Sequence, residues 1–105
     1  MAIERRKKIE TMLEQEPGDA ELRYMLAMEH VSEENDDQAA KCFAEIFDIA
    51  PNYVPAYHQA GRALQRLSRF DEAREVILRG IAVARSERDD HAAEEMRGLL
   101  DNLLQ

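Results

Sequence analysis

Tyr57-His58-Gln59-Ala60-Gly61-Arg62-Ala63-Leu64, followed shortly by Phe70-Asp71-Glu72-Ala73-Arg74-Glu75-Val76-Ile77, is the stretch that decides the fold. Apolar or small residues at 57, 60, 61 and 64 recur at i, i+3, i+4 and i+7, the stripe of a helix that buries one face. Ala73, Ile77 and Ile81 form a second stripe of the same kind. Gly61 and Ala73 are small where the two helices face each other, which lets their backbones approach closely. A bulky side chain at either position would force the pair apart.

Outward from this stretch the pattern repeats. Turn-forming residues fall at Glu16-Pro17-Gly18-Asp19, Glu33–Asp37, Pro51-Asn52, Ser68-Arg69 and Arg88–Asp90. Between them lie segments of about 13 to 17 residues, an ordinary helix length. Pro17 and Pro51 are 34 residues apart, and the chain slid on itself by 34 places Gly18–Pro51 over Asn52–Arg85. Identities are few (Asp37/Asp71, Ala39/Ala73 and Ala50/Ala84), but sizes agree: Leu26-Ala27 falls on Ala60-Gly61, Phe43 on Ile77, Phe47 on Ile81. In this first unit Leu22, Leu26, Ala27 and His30 share one helical stripe, and Ala39, Phe43, Ile46 and Phe47 another. Asp19 and Asn52 are the expected N-caps, and Pro55 suits a first helical turn, where a missing N–H costs little.

An aromatic, a small pair, a large residue, Ala and a proline at these intervals resemble the tetratricopeptide repeat. The second unit matches best, through Tyr57, Ala60-Gly61, Leu64, Phe70-Asp71-Glu72-Ala73 and Ile77. The first has Arg23 for the aromatic and His30 for a tyrosine, but keeps Leu26-Ala27, Ala39, Phe43 and Pro51. In the same register Ile9, Met12 and Leu13 fall on Phe43, Ile46 and Phe47, and Met96, Leu99-Leu100 and Leu103 repeat the spacing of Tyr57, Ala60-Gly61 and Leu64. The resemblance implies an all-α, right-handed α-solenoid of antiparallel helix pairs, about six helices in one domain. Its parts are an N-terminal helix at 1–16, repeats at 18–51 and 52–85, and a closing helix at 89–104.

Composition narrows the function. Among 105 residues there are 22 acids and 14 bases, a net charge of -8 that repels a nucleic-acid backbone. The lone Cys42 excludes an internal disulfide framework. No apolar run approaches the roughly 18 residues of a membrane span. Arg5-Arg6-Lys7-Lys8 has no apolar stretch behind it, unlike a signal peptide. A cytoplasmic protein without nucleic-acid or membrane partners is expected.

The resemblance also implies that the first helix of each pair lines a concave groove holding a peptide or protein segment. Tyr24 and Met28 lie about 110° round from the core stripe, and His58, Arg62 and the adjacent Arg66 take that face one repeat later. On the closing helix the corresponding residue is Arg97, with Asp101 and Leu104. Tyr24, Met28, His58, Arg62, Arg66 and Arg97 are the predicted partner-binding residues. Arg62, Arg66 and Arg69 follow one another with no acid between Tyr53 and Phe70, which suits an acidic or C-terminal segment. The other reading of these arginines is internal: they neutralise the Glu33–Asp37 turn. The family's chaperone-tail binders clamp a carboxylate with Lys and Asn, a different set from the one here.

No catalytic, cofactor or metal residues are predicted. His30 lies on a core stripe, and Arg62 four residues from His58 discourages a cation there. His91 and Cys42 lack ligand spacing, and Asp36-Asp37 and Asp89-Asp90 stand where helices begin and acids favour the dipole. The chain has no phosphate loop, nucleophile elbow or His-Glu-x-x-His. The predicted protein is a non-enzymatic adaptor. The alternative is a self-association module acting through exposed repeat ends, a homodimer joined by the leucine-rich closing helix (Leu99, Leu100, Leu103, Leu104).

Overall fold

A computed structural model describes residues 2–103, and six helices follow one another along them. They are α1 (Ala2–Gln15), α2 (Ala20–Ser32), α3 (Asp36–Ile49), α4 (Val54–Arg66), α5 (Phe70–Ser86) and α6 (Asp90–Leu103). No strand occurs among the described residues, and Leu104 of the expected closing helix lies outside them. Each helix packs on its neighbours in the chain, and α4 also reaches α6. The result is the stacked antiparallel pairing of an all-α helical repeat.

Local chemistry fixes the helix starts. The side chain of Asp19 accepts from Leu22 N at 3.0 Å, Asn35 from Gln38 N at 3.3 Å and Asp89 from Ala92 N at 3.1 Å, each satisfying an orphan amide. Asn52 does not cap α4. That helix starts two residues later, its N-cap Tyr53 makes no side-chain capping bond, and Pro55 in the first turn leaves one fewer amide to satisfy.

One turn is used three times. Glu34, Ser68 and Arg88 all adopt φ 61°, the left-handed region. The following amide then reaches back across the helix end: Asn35 N to His30 O at 2.8 Å, Arg69 N to Leu64 O at 2.9 Å, Asp89 N to Ala84 O at 2.8 Å. None of the three residues is glycine, so each carries a Cβ strain of order 1 kcal/mol. Arg88→Gly is expected to raise stability by about 0.5–1 kcal/mol, the relief being partly offset by the freer unfolded chain. A urea denaturation midpoint that falls in the variant would contradict this.

Two large clusters form the core. Ala27, Ala39, Phe43 and Ile46 join α2 to α3 and meet Ala56 and Ala60 of α4. Tyr57, Ile77, Ile81, Ala84, Ala93 and Met96 join α4, α5 and α6. Phe47 ties them, stacked on Tyr57 with ring centroids 4.3 Å apart. Close helix approach depends on two glycines. A Cβ on Gly61 would overlap Ile77 Cδ1 and lie 2.6 Å from Cγ1, and one on Gly80 would lie 2.6 Å from both Met96 Sδ and Tyr57 Cβ.

The degenerate first repeat keeps a contact by other means. Tyr57 Oη donates to Pro51 O at 2.6 Å, and one repeat earlier Arg23 Nε donates to Pro17 O at 2.9 Å. Arg23 also pairs with Glu45 of α3. α1 rests on α2 through Ile9 and Leu13 against Leu22, and through the ion pairs Arg5–Glu29 at 2.7 Å and Arg6–Glu33 at 3.2 Å.

Candidate functional site

The first helices of the successive pairs, α2 and α4, stand beside α6 and enclose a cleft of about 240 Å³. Tyr24 comes from α2, Pro55 and His58 from α4, Asp89 from the turn before α6, and His91, Ala92 and Glu95 from α6. Tyr24 is braced edge-on against Tyr53, with ring centroids 5.5 Å apart, and against Phe43 at 5.9 Å. Burial raises its pKa, so the phenol is neutral and remains a hydrogen-bond donor. Met28 lies one turn further along the same face, half-buried against the first core cluster.

His58 is half-buried in the wall of the cleft. Burial lowers its pKa, Glu95 opposes that shift, and Arg62 adds to it. The imidazole is therefore neutral near pH 7. Across the cleft His91 Nε2 lies 3.2 Å from Glu95 Oε1. Arg62, one turn beyond His58, is exposed and makes no ion pair with any described residue.

The other predicted cations are placed differently. Arg66 turns to the start of α3, its Nε donating to Asp36 Oδ1 at 3.1 Å and Oδ2 at 3.0 Å, and Nη2 to Oδ1 at 2.8 Å. The hydrogen bonds to Asp36 raise the pKa of Arg66. Arg69 likewise bridges Asp37 at 3.6 Å and Glu72 at 2.6 Å. Both arginines thus balance acids of the chain's own turn. Arg97 is exposed and, two residues past Glu95, stands about 200° round α6 from that residue of the cleft wall.

Sequence reasoning missed His91 and Glu95 because it aligned α6 by its leucines, setting Met96 on Tyr57. Aligning the helix starts instead, Asp90 on Val54, sets Ala93 on Tyr57 and sends His91 and Glu95 to the cleft. Leu99, Leu100 and Leu103 pack against the second core cluster.

Burial, with Glu45 nearby, pushes the Cys42 thiol up to about 11, so it is not a ready nucleophile. No group of His, Cys, Asp and Glu among the described residues is arranged to hold a metal ion. None of their helices is long and apolar enough to cross a membrane.

Stacked helix pairs with an open cleft along their first helices define a helical-repeat protein. The tetratricopeptide repeat pattern matches residues 20–53 and 54–87, and the chain belongs to that family. Tetratricopeptide repeats mediate protein–protein interaction. Among solved structures, a tetratricopeptide repeat domain protein of Salinibacter ruber is 33% identical, covers 83% of this chain and 88% of its own, and has a TM-score of 0.77. A protein of Bordetella parapertussis is 27% identical, with 94% of this chain and 86% of its own covered and a TM-score of 0.82. PcrH, solved in complex with the chaperone binding region of PopD, is 15% identical, with 98% and 78% covered and a TM-score of 0.91, a likeness of fold. The comparison with curated proteins found no match.

Proposed function

We propose that this chain is an adaptor that holds an acidic or C-terminal segment of a partner protein in the cleft of α2, α4 and α6. The observation that carries the reading is a cation without an ion pair one turn beyond the cleft wall: Arg62 acts on His58, which lines the cleft together with Tyr24. Tyr24 and Met28 supply apolar contact, and Met repacks readily around different side chains. Arg62 pairs with a ligand carboxylate, and its planar fork suits a bidentate contact. Arg66 is engaged by Asp36 and Arg97 faces away, so neither belongs to the proposed site. PcrH, whose solved complex holds a region of PopD, lends the reading support by fold.

Affinity capture from native extract, with wild type, Arg62→Glu and the surface control Arg85→Glu run side by side, tests it. A protein retained by wild type and Arg85→Glu but lost by Arg62→Glu is expected, with melting temperatures unchanged. Equal retention by the two variants would end the cationic-cleft reading. The pH dependence has a defined sign. Burial disfavours the imidazolium of His58 in the free protein, and a bound carboxylate favours it, so binding takes up a proton. Affinity for the captured segment then rises as pH falls through and below about 6.5, the ordinary histidine value.

A further inference from the structure

We infer that the opposite face carries a second docking surface: the groove between α3 and α5 takes a partner-protein segment in which a bulky apolar side chain stands beside a carboxylate. This groove is larger than the cleft, about 350 Å³. It exists because Ala40 and Ala44 are too short to fill the space between the helices, leaving Phe47, Val76 and the buried Ala60 and Leu64 of α4 to line it. A space of that size and lining suits a large apolar side chain.

The charges at the rim bear on what accompanies that side chain. Three cations border the groove (Lys41, Arg69 and Arg79), with two acids, Glu72 and Glu75, in a chain of net charge -8. Lys41 is paired with Asp37, and Arg69 with Asp37 and Glu72. Arg79 has no carboxylate partner among the described residues. Its guanidinium carbon instead lies 5.2 Å from the Phe47 ring centroid and 5.6 Å from that of Tyr57. Cation–π contact holds the plane of the group while its N–H edge stays available, a preorganised fork for one carboxylate. A wholly apolar ligand would leave that fork unused, and a wholly acidic one would leave Ala40, Ala44 and Val76 wet. Only the combination satisfies both. This inference does not depend on the α2–α4–α6 cleft binding anything.

N-acetyl-L-phenylalanine, an aromatic side chain beside a free carboxylate, is the minimal probe, and N-acetyl-L-phenylalaninamide is its uncharged control. In an amide-resolved NMR titration of the full chain, the acid is expected to shift Ala40, Ala44, Val76 and Arg79 saturably in the millimolar range. The amide, and the acid with Arg79→Gln, are expected to bind about tenfold more weakly, a difference of about 1.4 kcal/mol. Ala44→Leu fills the groove without altering charge and is expected to abolish the shifts, so the test survives if Arg79→Gln fails to fold. Several results would overturn the proposal: no saturable shift, shifts confined to Tyr24, His58 and Ala92, or equal affinity for acid and amide. Self-association abolished by Ala44→Leu, in place of probe binding, would also overturn it, assigning the groove to a second copy.

Discussion

Tyr57→Ala is expected to destabilise the protein by about 3–5 kcal/mol, the range for losing a large buried aromatic ring. The ring is 1% exposed, stacked on Phe47, and set beneath Arg79 and against the bare Cα of Gly80. It belongs to the second core cluster and stacks on Phe47, which ties the two clusters, so its loss leaves a cavity at the junction of the repeats. Domains of this kind have only about 5–15 kcal/mol of stability in all. Tyr57→Phe keeps the ring and loses only the 2.6 Å bond to Pro51 O, a smaller cost of about 0.5–1.5 kcal/mol. Urea unfolding of both variants checks the pair. Similar midpoints for the two would mean that the stacked ring contributes little and the repeat junction lies elsewhere.

Gly61→Leu acts in the opposite sense, by overfilling, and is expected to cost on the order of 1–3 kcal/mol. The added Cβ alone meets Ile77, which is 0% exposed, and Leu99 Cδ2 of α6 stands 3.7 Å away. α4 must then move off α5 or α6. An unchanged thermal melting curve would place Gly61 away from any tight helix crossing.

The second repeat was legible because its signals are local. Tyr57, Ala60-Gly61, Leu64 and Ala73 declare helical faces by spacing alone, and the structure buries all of them. Asp19 was legible as a cap for the same reason. Arg23 was not, because its likeness to Tyr57 lies in what it donates to, the carbonyl of a proline six residues back, and not in its residue type. The two arginines of α4 divide on a fact no helical wheel contains. Asp36, 30 residues upstream of Arg66, arrives beside it only when the pairs stack, while Arg62 meets no such acid. Arg79 reads in the sequence as an ordinary surface cation, yet it lies over two rings brought together from different repeats. Gly80 passes unremarked in sequence, for the helices that crowd it are separate segments. The helix faces were thus written locally. The partners of their charges were written in the stacking.

The way the helices succeed one another also bears on how the chain reaches this state. Because each packs on the helix before and after it, no element waits for a distant segment to arrive, and loop-closure entropy is met in small steps. Such topologies have low contact order and fold rapidly. They also open in pieces. α1, seated on α2 by Ile9, Leu13 and two arginine–glutamate pairs, is the helix that can leave while Phe43, Tyr57 and Ile77 stay packed. Native-state amide exchange is the observable in which that ordering appears: protection in α1 set by a local opening, and in α4 and α5 by unfolding of the whole.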